Sequence, residues 1–160
     1  MEHTFKSIGV LHTPYKSIEN MPIQPSGAAG VRGTIELDEK YLPALKDLDG
    51  FSHLILLYVF HQVTESKLTV TPFLDGKAHG LFSTRAPNRP NPIGLSVVRL
   101  LKIDGNRVDV ENVDMLNGSP LLDIKPYVPD FDGDISALRL GWLENKSMDA
   151  KLQRSDNRFQ

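Results

Sequence analysis

Hydrophobic residues in this chain occur in short runs separated by turn-forming residues, a pattern typical of β-rich proteins. Val31 to Leu37 alternates apolar and polar residues and predicts a strand with one buried face. Leu54 to Phe60 is continuously apolar and predicts a strand buried on both faces. Ile93 to Ile103 predicts a longer strand, which a turn at Asp104-Gly105-Asn106 connects to another strand over Val108 to Val110.

The remaining predicted elements are short. Asp38 is the expected N-cap of a helix that Pro43 limits to its first turns. Closely spaced strands with few helices predict a barrel or a curled sheet, and the absence of a GxGxxG motif argues against a Rossmann fold. The other predicted strands are Leu68 to Phe73, Gly80 to Phe82 and Leu121 to Tyr127, and the predicted helices are Glu39 to Lys46 and Ser147 to Gln153.

Composition narrows the possible chemistry. A length of 160 residues is typical of one domain, and a net charge of −2 argues mildly against a general nucleic-acid binder. The lack of cysteine excludes a disulfide framework, a thiolate nucleophile and a Cys-type zinc site. The histidines lack metal-ligand spacing, so no metal site is predicted. No apolar signal segment or membrane-length run is visible, and we expect a cytoplasmic protein without a membrane partner.

The segment Phe82 to Gly94, FSTRAPNRPNPIG, carries the strongest functional signal. Its three prolines fix the backbone and remove hydrogen-bond donors, so it cannot form a regular sheet ladder. Two arginines and two asparagines on a stiff loop are suited to holding a ligand at low entropic cost. We interpret this segment as a binding site, against the simpler reading of a rigid connector with surface arginines.

Two other polar segments are less specific. His61 and Gln62 directly follow the apolar run, where they can face a pocket, although a strand-end histidine bonded to backbone is equally plausible. The turn Asn117-Gly118-Ser119-Pro120 can present backbone amides to an anion, or it can be a plain tight turn. Asp123 and Lys125 are expected to share one strand face as an ion pair. Residues alone therefore predict a small β-rich domain with a rigid polar pocket.

Three segments together resemble the signature blocks of the TsaA-like family, whose characterised members are TrmO-type tRNA methyltransferases. They are FSHLILLYVFHQ (Phe51 to Gln62), FSTRAPNRPNPIGLS (Phe82 to Ser96) and NGSPLLDIKPYVPDFD (Asn117 to Asp132), with GWLE (Gly141 to Glu144) as a weaker match. The resemblance implies a mainly β, single-sheeted barrel with short helices, outside the Rossmann class. It places the family domain at residues 1–135 and a C-terminal extension with a short helix at 136–160.

The resemblance also implies S-adenosylmethionine as the cofactor and a homodimer with the cofactor pocket near the subunit interface. Arg85 is expected to pair with the methionine carboxylate. The turn at Asn117 to Ser119 is expected to offer backbone N–H groups to the carboxylate or ribose, and Leu95 to pack against the adenine. The implied cofactor-binding residues are Gln24, Pro25, Ser26, His61, Gln62, Arg85, Leu95, Asn117, Gly118, Ser119 and Pro120.

The reaction that the resemblance implies is methylation of N6 of threonylcarbamoyladenosine at position 37 of tRNA. The N6 lone pair in that base is delocalised, so a base that removes the N6 proton should assist, and His61 and Asp114 are the candidates. Candidates for contacts with anticodon-loop phosphates are Arg89, Arg99 and Lys125. Two alternatives remain open: a non-catalytic S-adenosylmethionine sensor, and a methyltransferase for a small molecule. They rest on Asn117, where many bacterial members have an acidic residue, and on the lack of those members' C-terminal domain.

Overall fold

The computed structural model describes residues 1–133 and 135–159. In this part of the chain there are eight strands, all short except one. They are β1 (Gly9–His12), β2 (Arg32–Leu37), β3 (His53–Val59), β4 (Thr69–Val70), β5 (His79–Gly80), β6 (Ile93–Asp104), β7 (Arg107–Glu111) and β8 (Ser119–Pro126).

Six of the strands close into one antiparallel barrel in the order β1-β2-β7-β6-β3-β8, and β8 pairs back with β1. The predicted single-sheeted barrel outside the Rossmann class is therefore confirmed. The predicted turn is also confirmed, because Asp104 pairs with Arg107 and Gly105 adopts a left-handed φ of 57°. Strands β4 and β5 form a separate two-stranded sheet beside the barrel.

Helical segments are short, as expected. The predicted helix after Asp38 is a 3₁₀ helix, and the Asp38 side chain makes no capping hydrogen bond. Pro43 lies inside this segment and removes the backbone donor that a longer α-helix would need. The α-helix is α1 (Pro129–Asp132), and the 3₁₀ helices are Pro25–Gly27, Glu39–Leu45, Leu48–Gly50, Leu81–Ser83, Gly141–Leu143 and Ser147–Lys151.

The barrel interior holds the main hydrophobic core, and β3 shows how its wall is built. Leu54, Leu56 and Tyr58 point inward and are at most 4% exposed, whereas the residues between them are only half-buried. The prediction that this run is buried on both faces was therefore wrong. A barrel strand has one inner and one outer face, and here the outer face is also apolar.

The predicted strands between β3 and β6 are shorter in the structure. Leu68 to Phe73 contains only β4, because Pro72 lacks the amide that would continue the ladder. Gly80 to Phe82 contains the end of β5 and then becomes a 3₁₀ turn. This region packs around a second, smaller apolar cluster that includes Val70, Leu81 and Phe159.

Two features are absent from the described residues. No helix there is long and apolar enough to cross a membrane. No group of three or more His, Asp or Glu side chains there is arranged to hold a metal ion.

Candidate functional site

A chain of polar side chains lies inside one end of the barrel. The Ser96 hydroxyl donates to Asp114 Oδ1 at 2.6 Å, and the Tyr58 hydroxyl lies 3.1 Å from Ser96 Oγ. Because Ser96 uses its proton on Asp114, Tyr58 must donate to Ser96. Both hydroxyl protons therefore point toward the carboxylate.

Gly94 makes room for this chain. Tyr58 pairs with Gly94 across β3 and β6, and a Cβ atom on Gly94 would lie 2.5 Å from the Tyr58 ring. Glycine therefore lets the ring cross the neighbouring strand, which brings its hydroxyl to Ser96.

Burial raises the pKa of Asp114 from 3.8 to about 6, and the hydrogen bond from Ser96 and the charge of Arg85 oppose only part of that effect. Burial also raises the pKa of the Tyr58 hydroxyl well above its usual value, and the charge of Asp114 adds to it. A carboxylate with a pKa close to neutral is suited to accept a proton at physiological pH. Among the carboxyl groups of the described residues near the predicted pocket, Asp114 has the most strongly perturbed pKa.

Two predicted cofactor loops meet directly at Arg85. Its Nη1 donates to Gln24 Oε1 at 2.9 Å, although the two residues are 61 positions apart. Arg85 is exposed, and its charge reaches Asp114 and Tyr58. The guanidinium is therefore exposed to solvent at the end of the barrel that holds Asp114 and Tyr58.

Hydrogen bonds from two of its own side chains, those of Asn88 and Arg89, stabilise the proline-rich loop. Arg89 Nη1 donates to the carbonyl oxygens of Thr84 and Ala86 at 3.0 and 3.3 Å. Asn88 is 3% exposed and donates to the carbonyl of Glu65. These bonds take the place of the β-sheet hydrogen bonds that the prolines, which lack a backbone N–H, cannot donate. Arg89 thus supports the loop from a half-buried position, and its predicted contact with RNA remains a prediction.

His61 lies beside Ser119 at the same barrel end. Ser119 Oγ donates to the carbonyl of Leu116 at 2.7 Å and lies 3.4 Å from His61 Nδ1. Because the serine proton is already used, His61 Nδ1 is the donor in this pair, which leaves Nε2 of the neutral ring as an acceptor. His61 and Gln62 are both exposed.

The turn at Asn117 to Ser119 does not present free amides. The N–H groups of Asn117, Gly118 and Ser119 donate to the carbonyls of Tyr15, Leu11 and Leu116. The expectation that these amides cradle a carboxylate or ribose was therefore wrong. Asn117 Oδ1 also accepts from the amide of Thr13 at 3.0 Å, so this turn can meet a ligand only through carbonyl oxygens and the remaining side-chain atoms.

The outward faces of β3, β6 and β8, here called the outer wall, adjoin this end of the barrel. Leu95 is 48% exposed and sits opposite Leu57, and the neighbouring pairs on the same outer face, Ile55 with Val97 and Val59 with Ile93, are also apolar. Arg99 and Lys125 lie farther along the same wall, on the two strands that flank β3. Each has an acidic partner: Glu111 at 3.2 Å and Asp123 at 2.7 Å, respectively. The predicted Asp123–Lys125 ion pair is thus confirmed.

The other predicted residues lie around the same barrel end. Pro25 and Ser26 begin the 3₁₀ helix that follows Gln24. Pro120 is on β8 opposite Val10 of β1. The structure therefore brings Gln24, Arg85, His61 and the turn before β8 to one end of the barrel, with Leu95 on the adjoining outer wall.

Sequence reasoning missed Tyr58 and Ser96. Both occupy inward positions of apolar strands, where a polar side chain needs a buried partner. The sequence signal that could have revealed this chain of polar side chains was the Ser96 hydroxyl, at an inward position of the apolar run Ile93 to Ile103. The partner itself, Asp114, is 18 residues from Ser96 and could only be identified from the fold.

A sequence model of the tRNA-methyltransferase O N-terminal domain matches residues 10–133. The chain belongs to this family. The match covers the barrel from Val10 onward and all of the predicted site residues.

Relatives in the family carry two kinds of description. A probable S-adenosyl-L-methionine-binding protein of Pyrococcus abyssi is 46% identical over 155 residues, which are 97% of this chain and 84% of that protein. The tRNA (adenine(37)-N6)-methyltransferase of Escherichia coli is 39% identical over 135 residues, which are 78% of this chain and 57% of that enzyme. The chain thus spans little more than half of the bacterial relative.

Solved structures agree with the family assignment. A crystal structure of TrmO from Pseudomonas aeruginosa superimposes with a TM-score of 0.73 at 37% identity. The overlap covers 89% of this chain and 63% of that one. The barrel and its topology are therefore those of the family.

Proposed function

We propose that this chain is an S-adenosylmethionine-dependent methyltransferase that acts on N6 of adenine 37 in tRNA, with threonylcarbamoyladenosine as the substrate base. The observation that carries the proposal is that an exposed arginine and a partly buried, weakly acidic carboxyl lie at the same end of the barrel. The descriptions of the Pyrococcus abyssi and Escherichia coli relatives supply the cofactor and substrate classes.

The exposed groups at the barrel end fit the cofactor. Arg85 offers a guanidinium fork suited to the methionine carboxylate, and Gln24 holds that fork in place. Leu95 offers an apolar surface for the adenine, while carbonyl oxygens of the Asn117 to Pro120 turn accept from the ribose hydroxyls. When bound, the cofactor supplies an electrophilic methyl group on a sulfonium, whose departure needs no protonation.

The chain's own contribution to chemistry is orientation and removal of a proton. Asp114 is the preferred base, because its raised pKa makes its carboxylate a stronger base than an ordinary aspartate while leaving it mostly ionised at neutral pH. Tyr58 and Ser96 fix the orientation of that carboxylate through their hydroxyls. His61 Nε2 is the second candidate for the base.

In this proposal, RNA binds to the outer wall and to the proline-rich loop, Phe82 to Gly94. Arg99 and Lys125 lie on the same face as Leu95, and Arg89 lies in the loop that carries Arg85. Their acidic neighbours, Glu111 and Asp123, are exchanged for phosphate oxygens in this proposal. Phosphate contacts of this kind make binding salt-dependent.

The methyltransferase proposal is tested by analysis of tRNA nucleosides. Unmethylated tRNA that carries threonylcarbamoyladenosine is incubated with the protein and S-adenosylmethionine, digested and analysed by mass spectrometry. We expect the N6-methyl form to appear only with both protein and cofactor. An unchanged nucleoside profile, in a reaction where the Escherichia coli relative is active, would contradict the substrate assignment.

A second candidate function is a sensor that binds S-adenosylmethionine without transferring its methyl group. The description of the Pyrococcus abyssi relative as a binding protein favours it. Calorimetry that shows cofactor binding, together with no methyl transfer to tRNA, would support the sensor. Transfer to a free nucleoside or amine without tRNA would instead support a small-molecule methyltransferase.

The proposed active form is a homodimer whose subunit interface lies on the outer wall. Residues that pair across β3 and β6 there are apolar, including Ile55 with Val97 and Leu57 with Leu95, and Leu95 is 48% exposed. A charge in this band should oppose dimerisation, because it would be buried without a partner.

Sedimentation velocity tests the dimer. We expect the wild type at about twice the chain mass of 17.9 kDa and the Val97→Glu variant at the chain mass. Leu42→Glu is the matched control, since Leu42 is 38% exposed on a different segment. A monomeric wild type, or a dimeric Val97→Glu variant, would contradict this interface.

A further inference from the structure

The C-terminal segment Gly141–Phe159, here called the tail, packs against both loops that carry predicted cofactor residues. One is the N-terminal loop, Ile18 to Gly27, which contains Gln24. The other is the arginine loop, Leu81 to Pro92, which contains Arg85. The tail contributes two buried anchors, Ala150 and Phe159, which are 6% and 7% exposed.

Trp142 fixes the start of the arginine loop. Its indole Nε1 donates to the carbonyl of Ser83 at 2.8 Å, two residues before Arg85. Its ring stacks on His79 with centroids 4.6 Å apart and planes 24° apart. The indole is therefore stacked on His79 and, through its N–H, hydrogen-bonded to the backbone of the arginine loop.

An ion cluster holds this part of the tail in place. Asp75 Oδ2 lies 3.1 Å from both His79 Nε2 and Lys146 Nζ. The hydrogen bonds from His79 and Lys146 lower the pKa of Asp75 to about 2. The carboxylate thus links the tail, through Lys146, to the histidine on which Trp142 stacks.

Ser155 fixes the N-terminal loop. Its backbone exchanges hydrogen bonds with Asn20 and Met21 at 3.0 and 2.8 Å. Its hydroxyl accepts from the Met21 amide at 2.9 Å and donates to the carbonyl of Ile18. A Cβ atom on Gly27 would lie 3.1 Å from the carbonyl oxygen of Ala150, so the tail also sits directly against this loop.

We propose that Trp142 and Ser155 are positioning residues that set the spacing of Arg85 and Gln24 for cofactor binding. This inference rests on the proposed function, because it assigns those two loops to S-adenosylmethionine. The two loops are joined to each other by the Arg85–Gln24 hydrogen bond, and the tail is bonded to both. A loop held in its bound geometry loses less entropy when the ligand arrives, which raises affinity without any new contact.

The test is calorimetric titration of the full chain with S-adenosylmethionine. Trp142→Phe keeps a ring against His79 and removes the N–H donor to Ser83. We expect it to weaken binding about tenfold. In an Arg85→Lys background, which keeps a cation but loses the guanidinium fork, the same change should weaken binding about twofold or less, because Trp142 acts through Arg85.

Ser155→Ala tests the second contact independently. It should also weaken binding by several fold, because the buried Met21 amide loses its acceptor. Ser147→Ala is the control: Ser147 is exposed on the same tail, and none of the described residues hydrogen-bonds to its side chain. Thermal melts confirm that each variant is folded at the titration temperature.

The outcomes separate the inference from the proposed function. A wild type that does not bind the cofactor overturns both. A wild type that binds normally, with both variants binding equally well, overturns only the positioning role. A tenfold loss from Trp142→Phe that persists unchanged in the Arg85→Lys background also overturns it, since the effect would then be general loosening.

Discussion

Replacing Arg85 with alanine should weaken binding of S-adenosylmethionine by about 30- to 100-fold while leaving the melting temperature nearly unchanged. The guanidinium is exposed, and its described hydrogen bond goes to a single side chain, that of Gln24. Removing it therefore opens no cavity in the core and strands no buried partner. The loss of affinity reflects a carboxylate that no longer has its charged, forked donor.

The measurement is calorimetric titration of wild type and variant, together with thermal melts. Arg107→Ala is a matched control, because Arg107 is also an exposed arginine and forms an ion pair with Glu36 at 3.6 Å. It lies at the hairpin between β6 and β7, and its removal should leave affinity unchanged. Equal binding by the Arg85→Ala variant would show that the cofactor pocket is elsewhere.

Asp114→Asn should abolish most methyl transfer while preserving the fold and cofactor binding. A general base contributes about a hundredfold to ten-thousandfold, and an amide cannot accept the proton. The amide oxygen can still accept the hydrogen bond from Ser96, so the Tyr58–Ser96 chain remains. Single-turnover methylation of tRNA at saturating cofactor measures the effect on the chemical step.

The pH dependence of Asp114 gives this prediction a second readout. Its pKa is about 6 in the folded chain against 3.8 ordinarily, so the folded state holds the proton more tightly. Wild-type stability should therefore fall as pH rises from about 4 to about 6 and then level off. The Asp114→Asn variant lacks this loss and should be more stable at neutral pH by about 3 kcal/mol. Below about pH 4 the two should converge.

Activity should show the opposite trend to stability. Methyl transfer by the wild type should rise with pH and reach half its plateau near pH 6, as the Asp114 carboxyl loses its proton. Asp104→Asn, at an exposed position on the hairpin, is the control and should leave the pH profile of activity unchanged. If His61→Ala abolishes transfer and Asp114→Asn does not, His61 is the base.

The barrel could be predicted from the sequence because its signals are local. Alternation in Val31 to Leu37 and the turn at Asp104 to Asn106 each specify a short stretch of chain. Burial of the Leu54 to Phe60 run could not be predicted correctly, since an apolar outer wall and a fully enclosed strand have the same sequence pattern. That distinction depends on what covers the outer face.

The site was only partly predictable for a related reason. Arg85 and the proline loop stand out in composition, whereas the amides of the Asn117 to Ser119 turn looked available. Their acceptors, the carbonyls of Tyr15, Leu11 and Leu116, include two residues that are about a hundred positions away. The same holds for the tail: Trp142 and Ser83 are 59 residues apart, and nothing in either sequence neighbourhood indicates the contact.

Adjacent residues of β6 face opposite sides of the barrel wall and belong to different parts of the proposed chemistry. Ser96 faces inward and donates to the Asp114 carboxyl, and Leu95 faces outward, where we propose that it packs against the adenine. A slip of β6 by one residue against β3 would exchange them, and it would also move Gly94 away from the Tyr58 ring. In the proposed mechanism, an error in the register of β6 would therefore remove activity as well as disturb packing, so catalysis and correct folding would depend on the same alignment of two strands.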